Sequence, residues 1–106
     1  MINKKILGLI GLAARARKIC FGADSVETKI KKKKVYVIII AIDSSNRTKD
    51  KFKKLGKEYN IPVIVDGAIE ELSKSIGKSN KAVFGIEDVN LSNEIRKINN
   101  GGEVIG

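Results

Sequence analysis

Eight consecutive uncharged residues, Val35-Tyr36-Val37-Ile38-Ile39-Ile40-Ala41-Ile42, follow a run of four lysines and leave this chain few ways to fold. A strand with one wet face alternates apolar and polar residues. This run does not alternate, so both of its faces must be covered, as in the interior of an α/β sheet. The flanking segments supply the covering helices. Residues 3–16 place Ile6, Leu9, Ile10 and Ala13 on one helical stripe, and Arg15, Arg17 and Lys18 follow at once. That segment therefore reads as a first core helix rather than a secretory leader. Ile19-Cys20-Phe21 is a short strand or connector. A second helix runs to about Lys33; it begins either at Asp24, where Glu27 would complete a capping box, or two residues earlier at Gly22.

Beyond the apolar run, Asp43-Ser44-Ser45-Asn46 supplies turn and cap chemistry for a third helix to about Tyr59, with Phe52, Leu55 and Tyr59 as its apolar stripe. Asn60-Ile61-Pro62 ends that helix and Val63-Ile64-Val65 is a strand. Asp66-Gly67 opens a fourth helix on Ile69, Leu72 and Ile76. A loop at residues 77–80, a strand over Lys81–Ile86 and a last helix from Asp88 to about Ile98 complete the order. The pattern predicts an α/β fold, a three-layer α/β/α sandwich around a small mixed sheet of about four strands. Residues 1–98 form the single expected domain, and the glycine-rich residues 99–106 are expected to be a flexible tail.

The chemistry available is narrow. Histidine is absent and Cys20 is the only cysteine, so there is no neutral-pH imidazole base, no disulfide and no Cys/His metal site. Cys20 lies between Ile19 and Phe21 and reads as a packed core thiol. Asp24, Asp43, Asp66 and Asp88 stand at helix starts, where capping accounts for them. No phosphate-loop motif occurs, and Gly8-Leu9-Ile10-Gly11 reads as close helix packing. Phe21, Tyr36, Phe52, Tyr59 and Phe84 all read as core, which argues against an aromatic platform for single strands. No catalytic residue, metal, cofactor or small-molecule substrate is expected. No run approaches the roughly 20 apolar residues that span a bilayer, and a cytoplasmic location is expected.

Charge is the positive signal. The net charge is +9, and it is polarised: 16 Lys/Arg stand against 4 Asp/Glu up to Lys57, and 5 against 8 after it. Arg15, Arg17, Lys18, Lys29 and the Lys31–Lys34 run put eight basic residues within twenty positions around the Gly22 helix start. A helix N-terminus offers backbone N–H groups to an anion, and surrounding lysines favour a polyanion. The residues point to RNA.

Four segments then resemble a known group. They are Leu9–Lys18, Gly22-Ala23-Asp24 opening a helix, Ala41–Lys49 after the aliphatic strand, and Ser75-Ile76-Gly77-Lys78 before the last strand. In this order and spacing the chain resembles the kink-turn-binding ribosomal-protein superfamily, of the large-subunit seven-Ae and thirty-e type, in its small bacterial YlxQ-like branch. The resemblance spans about residues 7–98 and implies an α/β/α sandwich that binds a bent RNA internal loop with sheared G·A pairs. It implies that Gly22 and Ala23 let the backbone approach RNA, and that Asp24, Ser25 and Thr28 occupy base-reading positions. By the same resemblance Ile76, Gly77, Lys78, Ser79, Asn80 and Lys81 cover a flipped-out nucleotide. With Arg15, Arg17, Lys18, Lys29, Lys31 and Lys32 these form the expected RNA-binding set. Family members usually carry Asn, a longer polar residue and Lys where this chain has Asp24, Ser25 and Thr28. The expected function is non-enzymatic binding of structured RNA, with ribosomal RNA among the expected partners, by a monomer associated with the ribosome or another ribonucleoprotein. The alternative is a protein-interaction module on the same fold with a weakened RNA site.

Overall fold

The computed structural model describes residues 2–100. Its elements are α1 (Lys4–Arg15), β1 (Ile19–Phe21), α2 (Ala23–Lys31), β2 (Val37–Ile40), α3 (Asn46–Tyr59), β3 (Val63–Val65), α4 (Ile69–Ser75), β4 (Val83–Ile86) and α5 (Val89–Asn99). The four strands form one sheet in the order β1-β4-β2-β3. β4 is antiparallel to both β1 and β2, whereas β2 and β3 are parallel, so the sheet is mixed as expected.

β2 sits in the interior and all four of its residues are buried. Its alternation sorts the core. Val37 and Ile39, with Ile64, Phe84 and Ile86, pack on Ile6 and Ile10 of α1, Leu72 of α4 and Ile95 of α5. Ile38 and Ile40, with Cys20 and Val83, pack on Val26 and Ile30 of α2 and Phe52 and Leu55 of α3. Full burial of an aliphatic or Phe side chain contributes about 1.5–3 kcal/mol, so each layer is held by several such residues. The chain is an α/β/α sandwich, with three helices on one face and two on the other.

Strand β2 is shorter than the apolar run. Tyr36 is 44% exposed and Ile42 51%, because both lie in connections at the ends of the strand. Of the five aromatics expected in the core, Phe52 and Phe84 are fully buried and Phe21 and Tyr59 half-buried, while Tyr36 is exposed. β4 likewise starts at Val83, and Lys81-Ala82 belong to the connection before it. Gly11 packs against the Ser75 carbonyl as the close-packing expectation requires, but nothing packs on Gly8. α5 extends to Asn99; residues 101–106 of the expected tail lie outside the described residues.

The registers define two ends of the sheet. Phe21, Ile40 and Val83 mark what we call the upper end, and Ile19, Val37 and Ile86 the lower end. Connections 22, 41–45, 66–68 and 76–82 emerge at the upper end. Connections 16–18, 32–36, 60–62 and 87–88 emerge at the lower end. No helix among the described residues is long and apolar enough to cross a membrane.

Gly56, in the last turn of α3, has the least room of the described glycines. A β-carbon there would collide with Val63 Cγ2 and stand 2.9 Å from the Ile61 carbonyl. We expect Gly56→Ala to destabilise the fold by about 2 kcal/mol, as overpacked cores do. Urea unfolding of wild type and variant measures this directly.

Candidate nucleic-acid interface

Side chains close the N-terminal ends of four of the five helices among the described residues. Asn3 accepts from Lys5 N–H at 2.7 Å, Ser45 from Thr48 N–H at 3.1 Å and Asp88 from Leu91 N–H at 2.9 Å. At α4, Asp43 accepts from Ile69 N–H and Glu71 from Ala68 N–H. α2 alone among the described helices has no such partner. Its N-cap is Gly22, whose φ of +87° only glycine adopts freely.

Of the two starts open to the sequence, the helix therefore takes the earlier. Asp24 sits inside the first turn and caps nothing. Glu27 does not reach back to complete a capping box; it pairs instead with Lys31 at 3.2 Å and Lys51 at 2.8 Å, joining α2 to α3. These two ammonium groups hold its carboxyl below the usual carboxylate range. Capping thus explains Asp88 and Asp43, though Asp43 serves α4 rather than α3. Asp66 bonds only the adjacent Gly67 amide.

The 76–82 connection lies beside this open helix end, because Gly22 N–H donates to the Val83 carbonyl at 3.0 Å. Gly77 (φ +70°) and Asn80 (φ +57°) turn the connection. Ser73 anchors it from the buried side of α4, donating to the Lys81 carbonyl at 3.1 Å and accepting from Lys81 N–H at 2.8 Å. Lys78 Nζ and Lys81 Nζ both stand over the Phe21 ring, 5.7 and 5.6 Å from its centre. Two ammonium groups thus stand over the ring of the residue that precedes the Gly22 turn. Between α4 and the connection is a groove of about 460 Å³, lined by Ser73, Lys74, Lys78, Ser79 and Asn80 together with Asp43, Ile69 and Glu70.

The structure thus gathers Gly22, Ala23, Asp24 and Ser25 with Ile76, Gly77, Lys78, Ser79, Asn80 and Lys81 at the upper end. Arg15, the last residue of α1, has its guanidinium beside Gly11, which abuts Ser75 at the end of α4. The remaining expected residues are elsewhere. Thr28 is exposed midway along α2. Lys29 pairs with Glu87 at 3.3 Å. Arg17 and Lys18 lie at the lower end because they precede β1, and Lys31 and Lys32 because nine helical residues carry the chain about 13 Å from Gly22. Nearness in sequence to Gly22 does not bring them to it.

Ser73 and Phe21 organise this site and the sequence did not single them out for it. A serine beside Leu72, on the face of α4 that turns inward, was the available signal for Ser73. The position of Phe21 between β1 and the Gly22 turn was the signal for the ring. Cys20 is removed from nucleophilic chemistry: burial, helped by Glu87, pushes its thiol up to about 11, and it donates to the Gly85 carbonyl at 3.5 Å.

Residues 4–96 match the family described as the ribosomal protein L7Ae/L30e/S12e/Gadd45 family. The chain is 33% identical over 99 residues to the RNA-binding protein YlxQ of Enterococcus faecium, covering 93% of this chain and 95% of that one. It is 30% identical over 87 residues to the RNA-binding protein YlxQ of Bacillus subtilis strain 168, covering 82% and 87% respectively. Among solved structures, a protein of unknown function from Bacillus halodurans matches with a TM-score of 0.87 at 33% identity, covering 91% of this chain and 97% of that one. The Giardia lamblia 15.5kD RNA binding protein shares the fold, with a TM-score of 0.78 at 18% identity over 97% and 94% of the two chains. The chain belongs to the L7Ae/L30e/S12e/Gadd45 family, in its YlxQ-like bacterial branch.

Two outcomes follow from the site's internal structure. Ser73→Ala leaves the Lys81 amide and carbonyl without partners and is expected to cost about 2 kcal/mol, read by urea unfolding. The Cys20 thiol, raised to about 11 when folded, keeps its proton where the unfolded chain has lost it. The stability this contributes is complete below the unfolded thiol's pKa and is lost as pH rises toward 11. At neutral pH Cys20 should react with a thiol reagent only after denaturation.

Proposed function

We propose that this member of the L7Ae/L30e/S12e/Gadd45 family binds a kink-turn-like RNA internal loop, without catalysis, through the uncapped start of α2 and the 76–82 connection. The observation that carries this reading is the bond from Gly22 N–H to the Val83 carbonyl at 3.0 Å, which sets the two segments side by side. The exposed first turn, Ala23-Asp24-Ser25, is small enough for backbone amides to approach a phosphate and base edges in a groove. Lys78 and Lys81, held over Phe21, supply the charge, and the groove beside them has room for an extruded nucleotide. The names of the YlxQ relatives and the family match support RNA as the ligand class. We further propose that residues 1–98 act as one domain and as a monomer in the cytoplasm, on a ribosomal or other ribonucleoprotein RNA.

Asp24 is compatible with this arrangement when it accepts from a base amino group rather than meeting phosphate, since carboxylates accept such hydrogen bonds. Ser25 is short, so shape and backbone contact must carry more of the recognition than in relatives with a longer side chain there. That balance defines the test. Wild type should prefer a kink-turn RNA over the same RNA with its G·A pairs replaced by Watson–Crick pairs, and the preference should persist at near-physiological salt. Ala23→Leu keeps a good helix former but blocks backbone approach; it should weaken kink-turn binding at least about tenfold. Lys78→Ala should instead weaken binding to both RNAs and reduce the salt slope by about one. Equal losses on both RNAs for Ala23→Leu would sink the docking arrangement.

A further inference from the structure

At the lower end of the sheet, as far from Gly22 as α2 reaches, lies a groove of about 670 Å³. Tyr36, Tyr59 and Pro62 form its apolar wall, and Val89 of α5 faces them. Tyr36 is 44% exposed and Val89 50%, although both are large apolar residues. Lys33 and Arg96 stand in the lining with a single acid, Glu58. Outside the lining, Arg17, Lys18, Lys32 and Lys34 are exposed at the same end of the molecule. None of these six cations forms an ion pair among the described residues, whereas Lys29 and Lys31 on the same helix do.

The backbone carries a second sign. α1 and α2 both end by placing a residue in the left-handed region, Arg17 at φ 58° and Lys33 at φ 59°. Glycine ordinarily fills that position because it meets no steric penalty there. Here two long cations occupy it and both project at the lower end.

We infer that this groove is a second RNA site, separate from the α2 start, which takes a segment of single-stranded RNA. A base stacks on the exposed Tyr36 ring, and Lys33 and Arg96 meet the phosphates on either side of it. The charge selects the occupant. A groove that holds two tyrosines, two unpaired cations and one acid, at an end of the molecule that exposes four more unpaired cations, disfavours a basic protein surface and attracts a polyanion with planar rings. The site does not require that the upper-end RNA be a kink-turn. If both are occupied, the protein holds a structured loop at one end and an unpaired flank at the other.

The test is a fluorescence anisotropy titration of the full chain against a labelled short oligouridylate, with an unlabelled kink-turn RNA titrated in parallel. Tyr36→Ala should weaken oligouridylate binding about tenfold, the scale of one lost base–aromatic stack. Tyr36→Phe should retain wild-type affinity, because the ring and not the hydroxyl is used. Arg96→Glu, at an exposed helical position, should weaken it at least as much as Tyr36→Ala. Ala23→Leu should leave oligouridylate binding unchanged, and Tyr36→Ala should leave kink-turn binding unchanged. Oligouridylate binding that Tyr36→Ala and Arg96→Glu do not alter would overturn the proposal, as would no binding by wild type. Displacement by polyglutamate as effective as by RNA of equal charge would also overturn it, since it would assign the groove to an acidic protein segment. Loss of kink-turn discrimination by wild type, with the oligouridylate arm intact, would count against the upper-end reading alone.

Discussion

Everything in this molecule is arranged around a strand that water cannot reach from either side. Val37 to Ile40 point alternately into two helical layers, and each layer is filled from both directions. A strand of that kind fixes where its neighbours go. β4 and β3 must flank it to satisfy its backbone, and helices must cover both faces. Because the connections return over the faces, they are sorted to the two ends of the sheet. The functional geometry descends from that sorting. The Gly22 turn and the 76–82 connection become neighbours because β1 and β4 pair antiparallel, with Phe21 opposite Phe84.

The electrostatics of the upper end follow from what is missing there. The other helix starts carry a side chain that accepts a backbone N–H, a bond worth a few tenths of a kcal/mol over glycine. Glycine gives up that bond and leaves the first-turn amides open. The adjacent connection then adds Lys78 and Lys81 over one phenyl ring. Each feature alone has an ordinary structural explanation. What sets the upper end apart is that the two occur on adjoining segments, joined by the bond from Gly22 N–H to the Val83 carbonyl. Ser73 makes the arrangement rigid, since it fixes both the donor and the acceptor of Lys81 from a buried position.

Much of this was legible in the sequence, for reasons that differ by residue. The unalternating Val35–Ile42 run announced a doubly covered strand, and the helical stripes of Ile6, Ile10, Phe52, Leu55, Leu72 and Ile95 identified the layers. The Gly22 and Gly77 junctions were recognisable because glycine marks the turns. Strand ends were less legible, since Tyr36 and Ile42 are as apolar as the residues between them. Only the register with Ile86 and Val83 shows where pairing stops. The basic cluster misled most. Eight cations in twenty positions read as surrounding the Gly22 helix start, but α2 runs the length of the sheet, and so the helix start and most of the cluster are divided between the two ends.

That division changes what the net charge of +9 means. If all the lysines served one site, binding would be a single event whose salt dependence grew with each phosphate neutralised. Instead Glu27 and Glu87 hold Lys29, Lys31 and Lys51 in pairs along the α2–α3 and α2–β4 seams, leaving unpaired cations at either end. The paired lysines are structural, because their charge is already met within the fold. The upper end offers few charges with much shape: a glycine turn, open amides, a rigid connection and a groove. The lower end offers many charges around two tyrosines, with little to fix a register. A folded RNA loop matches the first, since its phosphates are held at set positions and rigid donors can meet them. A flexible strand matches the second, since each base presents the same planar face and the phosphates adjust to the lysines. On the two readings proposed above, the fold separates recognition by shape from attraction by charge by the length of one helix.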